Sequence, residues 1–220
     1  VNGPTVAIVS AIYDRYDTLK PVCPQDGADV DWVLVTDDAS LRGGALGWRT
    51  VYLPRSGVHP NRAAKHPKFL PWEYTGASAS VWVDASLRVV SPTLAVDTLA
   101  LADPLAQFVH PWRDCLYAEA EESVKLAKYA GEACAEQAEK YRAAGHPAHW
   151  GLWATTLIAR KHTAQVREFG GRWLEEVDAW TFQDQVSHPY VLRETGLRPA
   201  PLPGDQLTNQ WTVFEGSERH

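Results

Sequence analysis

A chain of 220 residues, 45% hydrophobic and 22% charged, is long enough for one well-packed α/β domain, and that balance predicts a globular chain rather than a disordered or membrane one. No apolar run approaches the roughly 18 residues a membrane span requires, and a net charge of −6 argues against a duplex-binding protein built on a broad basic face. Cys23, Cys115 and Cys134 have neither metal-type spacing nor an even count, which predicts reduced thiols in a cytoplasmic protein.

The opening VNGPTVAIVSAIY lacks a basic n-region and a small-residue cleavage pattern, so it reads as the first strand of a domain and not as a signal peptide. Residues 6–12 and 32–35 are β-rich apolar runs, followed by the acids of YDRYD and TDDAS; both predict parallel strands with loops at their carboxyl ends. A Gly-rich turn leads to a third strand over 50–53. Pro60 opens PNRAAKHPKFLP, helical in period but interrupted by Pro67 and stopped by Pro71. Residues 81–83 predict the next strand, 87–90 its continuation past an acidic turn, SPTLAVDTLALAD a helix, and Phe108 and Val109 another strand. The Ala-, Glu- and Lys-rich stretch up to Gly145 predicts helix broken near Gly131; 152–159 predicts a strand, TAQVREFGGRWLEEVDAW a helix, and the Pro/Gly-rich tail a surface wrap. With no internal repeat and no long linker, residues 1–220 read as a single domain. It is an α/β fold with a mostly parallel central sheet flanked by helices and its ligand at the carboxyl edge.

Four groups of residues carry chemistry. Asp14, Asp17, Asp37, Asp38 and Asp84 all follow strand-like runs, which brings them to one edge, where acids suit a ribose, a base or a hard divalent cation; Asp is equally at home in plain turns. Arg62, Lys65 and Lys68, at i, i+3 and i+6, converge on one anion such as a diphosphate, or form a solvated basic face. His110, Arg113 and Glu119 sit where a strand gives way to a helix and either face the same pocket or form a surface ion pair. Asp184, Gln185 and His188 lie among Trp180, Phe182 and Tyr190, a composition that fits a sugar-binding edge as well as a helix N-terminus. Walker, dinucleotide, nucleophile-elbow and zincin motifs are absent.

In order, AIYDRYDTLKP, WVLVTDD, RTVYLP, NRAAKHPKFLP, VWVDASLRV, HPWRDCLYAEAE, GLWATTLIARKH, FQDQVSHPYVL and PLPG resemble a family of glycosyltransferase-like proteins. That family includes the plant mucilage-related and turgor-regulation-defect proteins with bacterial and phage relatives. The resemblance spans most of the chain and implies a GT-A-like (Rossmann-like) fold using a nucleotide-sugar donor. On that footing Tyr13, Asp37 and Asp38 contact the nucleotide, and Arg62, Lys65 and Lys68 meet its diphosphate. Asp84 stands where such folds keep an Asp-x-Asp metal motif for Mn²⁺ or Mg²⁺, with Ser86 in place of the second acid. Asp184 and Gln185 match the family's pair at the donor sugar and reaction centre, Asp184 being the catalytic carboxylate. Trp153 sits where relatives carry a polar residue and, with His110, Arg113 and Glu119, is assigned to the sugar or acceptor; His220 is a late histidine of the kind that can join a metal.

The expected activity is hexosyl or pentosyl transfer to an acceptor hydroxyl, either on a glycan or glycoside or on a hydroxymethylated base of phage DNA. The alternative is a non-catalytic nucleotide-sugar or glycan-binding module that kept the fold, with Ser86 as the symptom of lost turnover.

Overall fold

The computed structural model describes residues 5–216, so His220 lies outside the described residues. In chain order the strands are β1 (Val6–Ile12), β2 (Val30–Thr36), β3 (Arg49–Tyr52), β4 (Ala79–Val83), β5 (Leu87–Val89), β6 (Leu105–Val109), β7 (Trp153–Lys161), β8 (Ala200–Pro201) and β9 (Thr212–Phe214). The helices are α1 (Pro60–Ala63), α2 (Lys65–Phe69), α3 (Leu94–Leu101), α4 (Leu116–Ser123), α5 (Cys134–Ala143), α6 (Ala164–Ala179) and α7 (Asp184–Glu194).

Seven strands form one sheet in the order β3-β2-β1-β4-β7-β6-β8. β1 pairs in parallel with β2 and β4, β2 with β3, and β6 with β8, whereas β7 is antiparallel to both β4 and β6. The sheet is therefore mostly parallel, and the carboxyl ends of β1, β2, β4 and β6 share one edge with the amino end of β7. Helices cover both faces, which is why β1 and β2 read as near-continuous apolar runs rather than alternating ones. One face buries Val9, Val33, Trp82 and Ile158 under Phe69, Phe169 and Trp173; the other buries Ile8, Leu34, Val81 and Phe108 with Leu94 and Trp211. Each such side chain contributes roughly 1.5–3 kcal/mol of burial free energy.

Two expectations change in detail. Residues 87–89 do not continue β4 in the sheet; the Asp84 carbonyl accepts from Leu87 N–H in a turn, and β5 pairs instead with β9 as a separate two-stranded ribbon. The tail thus enters sheet structure through β8 and β9 rather than only wrapping the surface. The long Ala/Glu/Lys stretch is broken near Gly131 as expected: α4 and α5 are separated by a segment containing the 3₁₀ turn Ala127–Tyr129 and Gly131 at φ +84°.

The segment from Pro60 to Pro71 explains itself residue by residue. His59 Nδ1 accepts from Asn61 N–H, and Pro60 supplies a prolyl start for α1. The chain then restarts as α2 at Lys65, which puts Pro67 in the first turn, where a missing N–H costs no intrahelical bond. α2 packs closely against α6 through Gly170, where a Cβ would stand 2.7 Å from the Trp72 ring and closer still to the Phe69 carbonyl oxygen. Gly170→Ala is therefore expected to cost about 1–3 kcal/mol, read as a melting temperature lower by about 2–12 °C. Gly171→Ala, whose Cβ would meet nothing within 4 Å, is the control and is expected to melt no lower than the parent.

Candidate active site

α2 packs on the face of the sheet against β1 with its first residue, Lys65, near the carboxyl edge, and α7 begins beside the amino end of β7. Lys68, on α2, is only 3% exposed. A buried ammonium needs partners, and this one has three: Asp184 Oδ2 at 2.7 Å, Thr155 Oγ1 at 3.2 Å and Asp84 Oδ1 at 3.4 Å. Lys65, one turn back, donates to the same Asp184 Oδ2 at 2.9 Å, and Thr155 Oγ1 donates to Asp184 Oδ1 at 3.0 Å. The carboxylate of Asp184 is thus clamped by two ammonium groups and a hydroxyl.

Burial alone would raise the Asp184 pKa; Lys65 and Lys68 outweigh it and hold the carboxyl well below its usual range. Burial pushes Lys65 down, with Asp184 only partly opposing it, whereas for Lys68 the Asp184 and Asp84 charges overcome burial and leave its pKa raised. Asp184 also lies in the first turn of α7, where the helix dipole favours a negative charge. The cap position is Gln183, and the Asp184 side chain is turned to the lysines.

Two adjoining cavities open here. One, of about 120 Å³, is lined by Tyr13, Tyr16, Asp17, Asn61, Trp82 and Ser86 together with Lys65, Lys68 and Asp84. The other, of about 290 Å³, is lined by Lys128, Tyr129, Thr155, Thr156, Phe182, Gln183, Asp184, Gln185 and Gln206. Tyr16, Asn61, Lys65, Lys68 and Asp84 border both, so the lysine pair sits at the junction of one two-lobed cleft.

Of the residues singled out from sequence, Tyr13, Asp17, Lys65, Lys68, Asp84, Ser86, Asp184 and Gln185 line this cleft. Arg62 does not join them. The restart of the helix at Lys65 breaks the i, i+3, i+6 row, and Arg62 instead pairs with Glu132 at 3.0 Å and donates to the Val177 and Trp180 carbonyls at the end of α6. Asp37 and Asp38 border a separate open groove with Asp14, Arg15 and Ser40. Asp37 accepts from the Asp14 N–H and from Arg55, and Asp38 accepts from Arg15 and Ser40, which steadies a turn in which Asp14 and Arg15 both have left-handed backbone, φ 56° and 51°. Asp17 accepts from Lys20, whose ammonium also reaches the Ala85 carbonyl and so ties the β1 loop to the Asp84 turn.

His110, Arg113 and Glu119 do meet, but behind the cleft. Arg113 Nε is 2.6 Å from Glu119 Oε2, His110 Nδ1 accepts from the Arg113 N–H, and the buried Glu119 takes a hydrogen bond from Gln183 at 2.9 Å. They position Gln183 rather than present themselves to a ligand. Trp153 is corrected outright: at 4% exposure, packed by Trp150 and His188, its ring has no face left for an acceptor, and its carbonyl serves Gln185. His188 is likewise a core residue, bonded to Gln107 and enclosed by Phe169 and Trp173.

Thr155, Thr156, Trp82, Asn61 and Gln206 went unnoticed in the sequence. The Thr pair inside the otherwise apolar GLWATTLIARKH was the available signal; the others have none. Trp82 Nε1 donates to Asp84 Oδ1 at 2.5 Å and helps orient that carboxylate. The donors around Asp84 do not suit a divalent cation held by the protein. Among the described residues no group of three or more His, Cys, Asp or Glu is placed to hold one, Ser86 supplies a hydroxyl where a second carboxylate was wanted, and the Asp84 oxygen that Trp82 engages already faces the Lys68 ammonium.

A mostly parallel α/β sheet with helices on both faces and a two-lobed, lysine-bearing cleft at its carboxyl edge defines a Rossmann-like protein whose ligand site lies at the ends of the strands. Among solved structures the chain is similar to the apo structure of the bifunctional glycosyltransferase WbbM, with a TM-score of 0.52 and 14% identity; the match covers 92% of this chain and 39% of that one. No curated protein matches it. Residues 1–200 match the family model described as TOD1/MUCI70, glycosyltransferase-like domain, and the chain belongs to that family. Among the described residues no helix is long and apolar enough to cross a membrane.

Proposed function

We propose that the protein transfers a sugar from a nucleoside-diphosphate donor to a hydroxyl acceptor, with the nucleotide in the smaller lobe of the cleft and the sugar and acceptor in the larger. The observation that carries this reading is the placement of two ammonium groups at the junction of the lobes, where a diphosphate linking nucleoside to sugar would lie.

In the step itself the acceptor oxygen bonds to the anomeric carbon while the bond from that carbon to the diphosphate oxygen breaks, and its electron pair leaves on the nucleoside diphosphate. Cations beside the departing oxygens stabilise the charge that grows there, which is the dominant contribution expected in such a transfer. Asp184, held ionised by its lysines, is a weak proton acceptor. Its better role is to oppose the positive charge developing on the sugar, while the acceptor proton passes to a phosphate oxygen of the leaving group.

The larger lobe favours a glycan or glycoside acceptor over modified DNA. Its lining is rich in amide and hydroxyl groups, and most cations in and around the cleft are already matched by carboxylates, Lys65 and Lys68 by Asp184, Arg62 by Glu132 and Arg113 by Glu119, while Lys128 lies over the Tyr129 ring. A nucleic-acid backbone needs a track of unmatched cations.

The test is a panel of nucleoside diphosphates and nucleotide sugars measured by thermal shift and calorimetry, followed by release of nucleoside diphosphate in the presence of simple glycosides. One nucleotide at 100 times its Kd is expected to stabilise the protein by about 2.7 kcal/mol, or about 5–11 °C. Binding with no release under any acceptor would favour the non-catalytic module, and no binding at all would refute the donor site.

A further inference from the structure

The unsuitability of Asp84 and Ser86 for a protein-held metal leaves open what meets the diphosphate, and the two lysines differ in a way that answers it. Lys68 spends its three donors on Asp184, Thr155 and Asp84. It is locked in place between both carboxylates, and together with Lys65 it balances the two negative charges that would otherwise repel an anion. Lys65 is different: among the described residues its ammonium donates only to Asp184, and its side chain is 15% exposed at the border shared by both lobes. Two of its three N–H groups remain for a ligand.

We propose, on the footing of the transferase reading above, that Lys65 meets the donor's diphosphate directly in place of a divalent cation, and that Lys68 is the positioning residue that makes this arrangement work. Donor binding by this chain is then independent of divalent metal. A dication seated on Asp84 would stand against the buried, immobile charge of Lys68, 3.4 Å from the Asp84 oxygen, whereas an approaching diphosphate finds Asp84 and Asp184 already compensated. Replacing Lys65 leaves Asp184 paired with Lys68, so the fold of the edge survives the substitution that tests the idea.

The experiment titrates UDP, GDP, CDP and TDP into the native protein by calorimetry, once in EDTA and once with Mn²⁺ or Mg²⁺, and repeats the best binder on Lys65→Met and Lys65→Arg. The affinity of the native protein is expected to agree within about threefold between the two conditions. Lys65→Met is expected to weaken binding by about tenfold or more with a melting temperature lowered much less than in Asp184→Asn, because Lys68 still pairs with Asp184; Mn²⁺ is expected not to restore binding, and Lys65→Arg is expected to recover most of it. A tenfold or greater gain on adding Mn²⁺ to the native protein, or a Lys65→Met protein that binds as tightly as the parent, would overturn the inference and leave the transferase reading standing. Absence of binding for every nucleotide in both conditions would remove the transferase reading itself.

Discussion

Asp184→Asn is expected to melt about 6–20 °C below the parent chain, because removing one partner from a buried ion-paired cluster costs about 3–5 kcal/mol. The substitution keeps the shape of the side chain and deletes the charge on which both lysines converge, at 2.9 and 2.7 Å. Lys65, already pushed down by burial, is the group that gives up its proton first. A lysine whose folded pKa is depressed binds fewer protons folded than unfolded, so the stability of the variant is expected to rise as pH is increased from 7 towards the ordinary lysine range. The parent, in which Asp184 partly opposes the burial of Lys65, should show a smaller recovery. Sugar transfer by the variant is expected to fall about 10²–10⁴-fold at any pH. A variant that melts with the parent would show that the cluster is not held by Asp184.

The second large effect is acid lability that begins well above the carboxylate range. Burial is the main cause that pushes His110, His146 and His162 each down to about 4 and His188 down to about 3. Nearby guanidinium groups act in the same direction: Arg113 on His110, Arg193 on His146, and Arg160 on both His162 and His188. For His188, Asp184 works the other way and Lys68 with the guanidinium. Each imidazole is neutral when folded and protonates in the unfolded chain below its ordinary 6.5. The stability it contributes is therefore complete above that pH and is lost as pH falls towards the folded pKa, at about 1.4 kcal/mol per pH unit. At pH 5 the four together remove about 8 kcal/mol, the size of a typical domain's whole stability. Melting temperatures measured from pH 7.5 to 4.5 are expected to drop steeply below pH 6.5, with unfolding at ambient temperature near pH 5. A flat profile down to pH 4.5 would contradict the burial of these rings.

What was legible in the sequence follows from what local pattern encodes. Continuous β-branched runs marked β1, β2 and β4, and the acid after VWV marked the end of β4 at the sheet edge. Lys65 and Lys68, three apart on one short helix, were recognisable as partners. The direction of β7 was not legible, since an apolar run reads the same in a parallel or antiparallel strand. Arg62 was misplaced because the proline that interrupts the period also shifts where the helix restarts, and one changed turn re-aims a side chain. Trp153 was misplaced because an aromatic in a buried strand carries no mark of which face it takes. The meeting of Lys65 with Asp184, 119 residues apart in the chain, depends wholly on packing of α2 and α7 over the sheet, and spacing holds no information about it. The free Cys23, Cys115 and Cys134 agree with the reading of unpaired thiols.

The most direct measurement is a crystal structure of the protein with the nucleoside diphosphate it binds best. The account requires a phosphate oxygen within about 2.7–3.2 Å of Lys65 Nζ, with the nucleoside in the lobe lined by Tyr13 and Trp82. A diphosphate seated instead in the groove of Asp14, Asp37 and Asp38, or one reaching the protein only through a metal on Asp84, would contradict it.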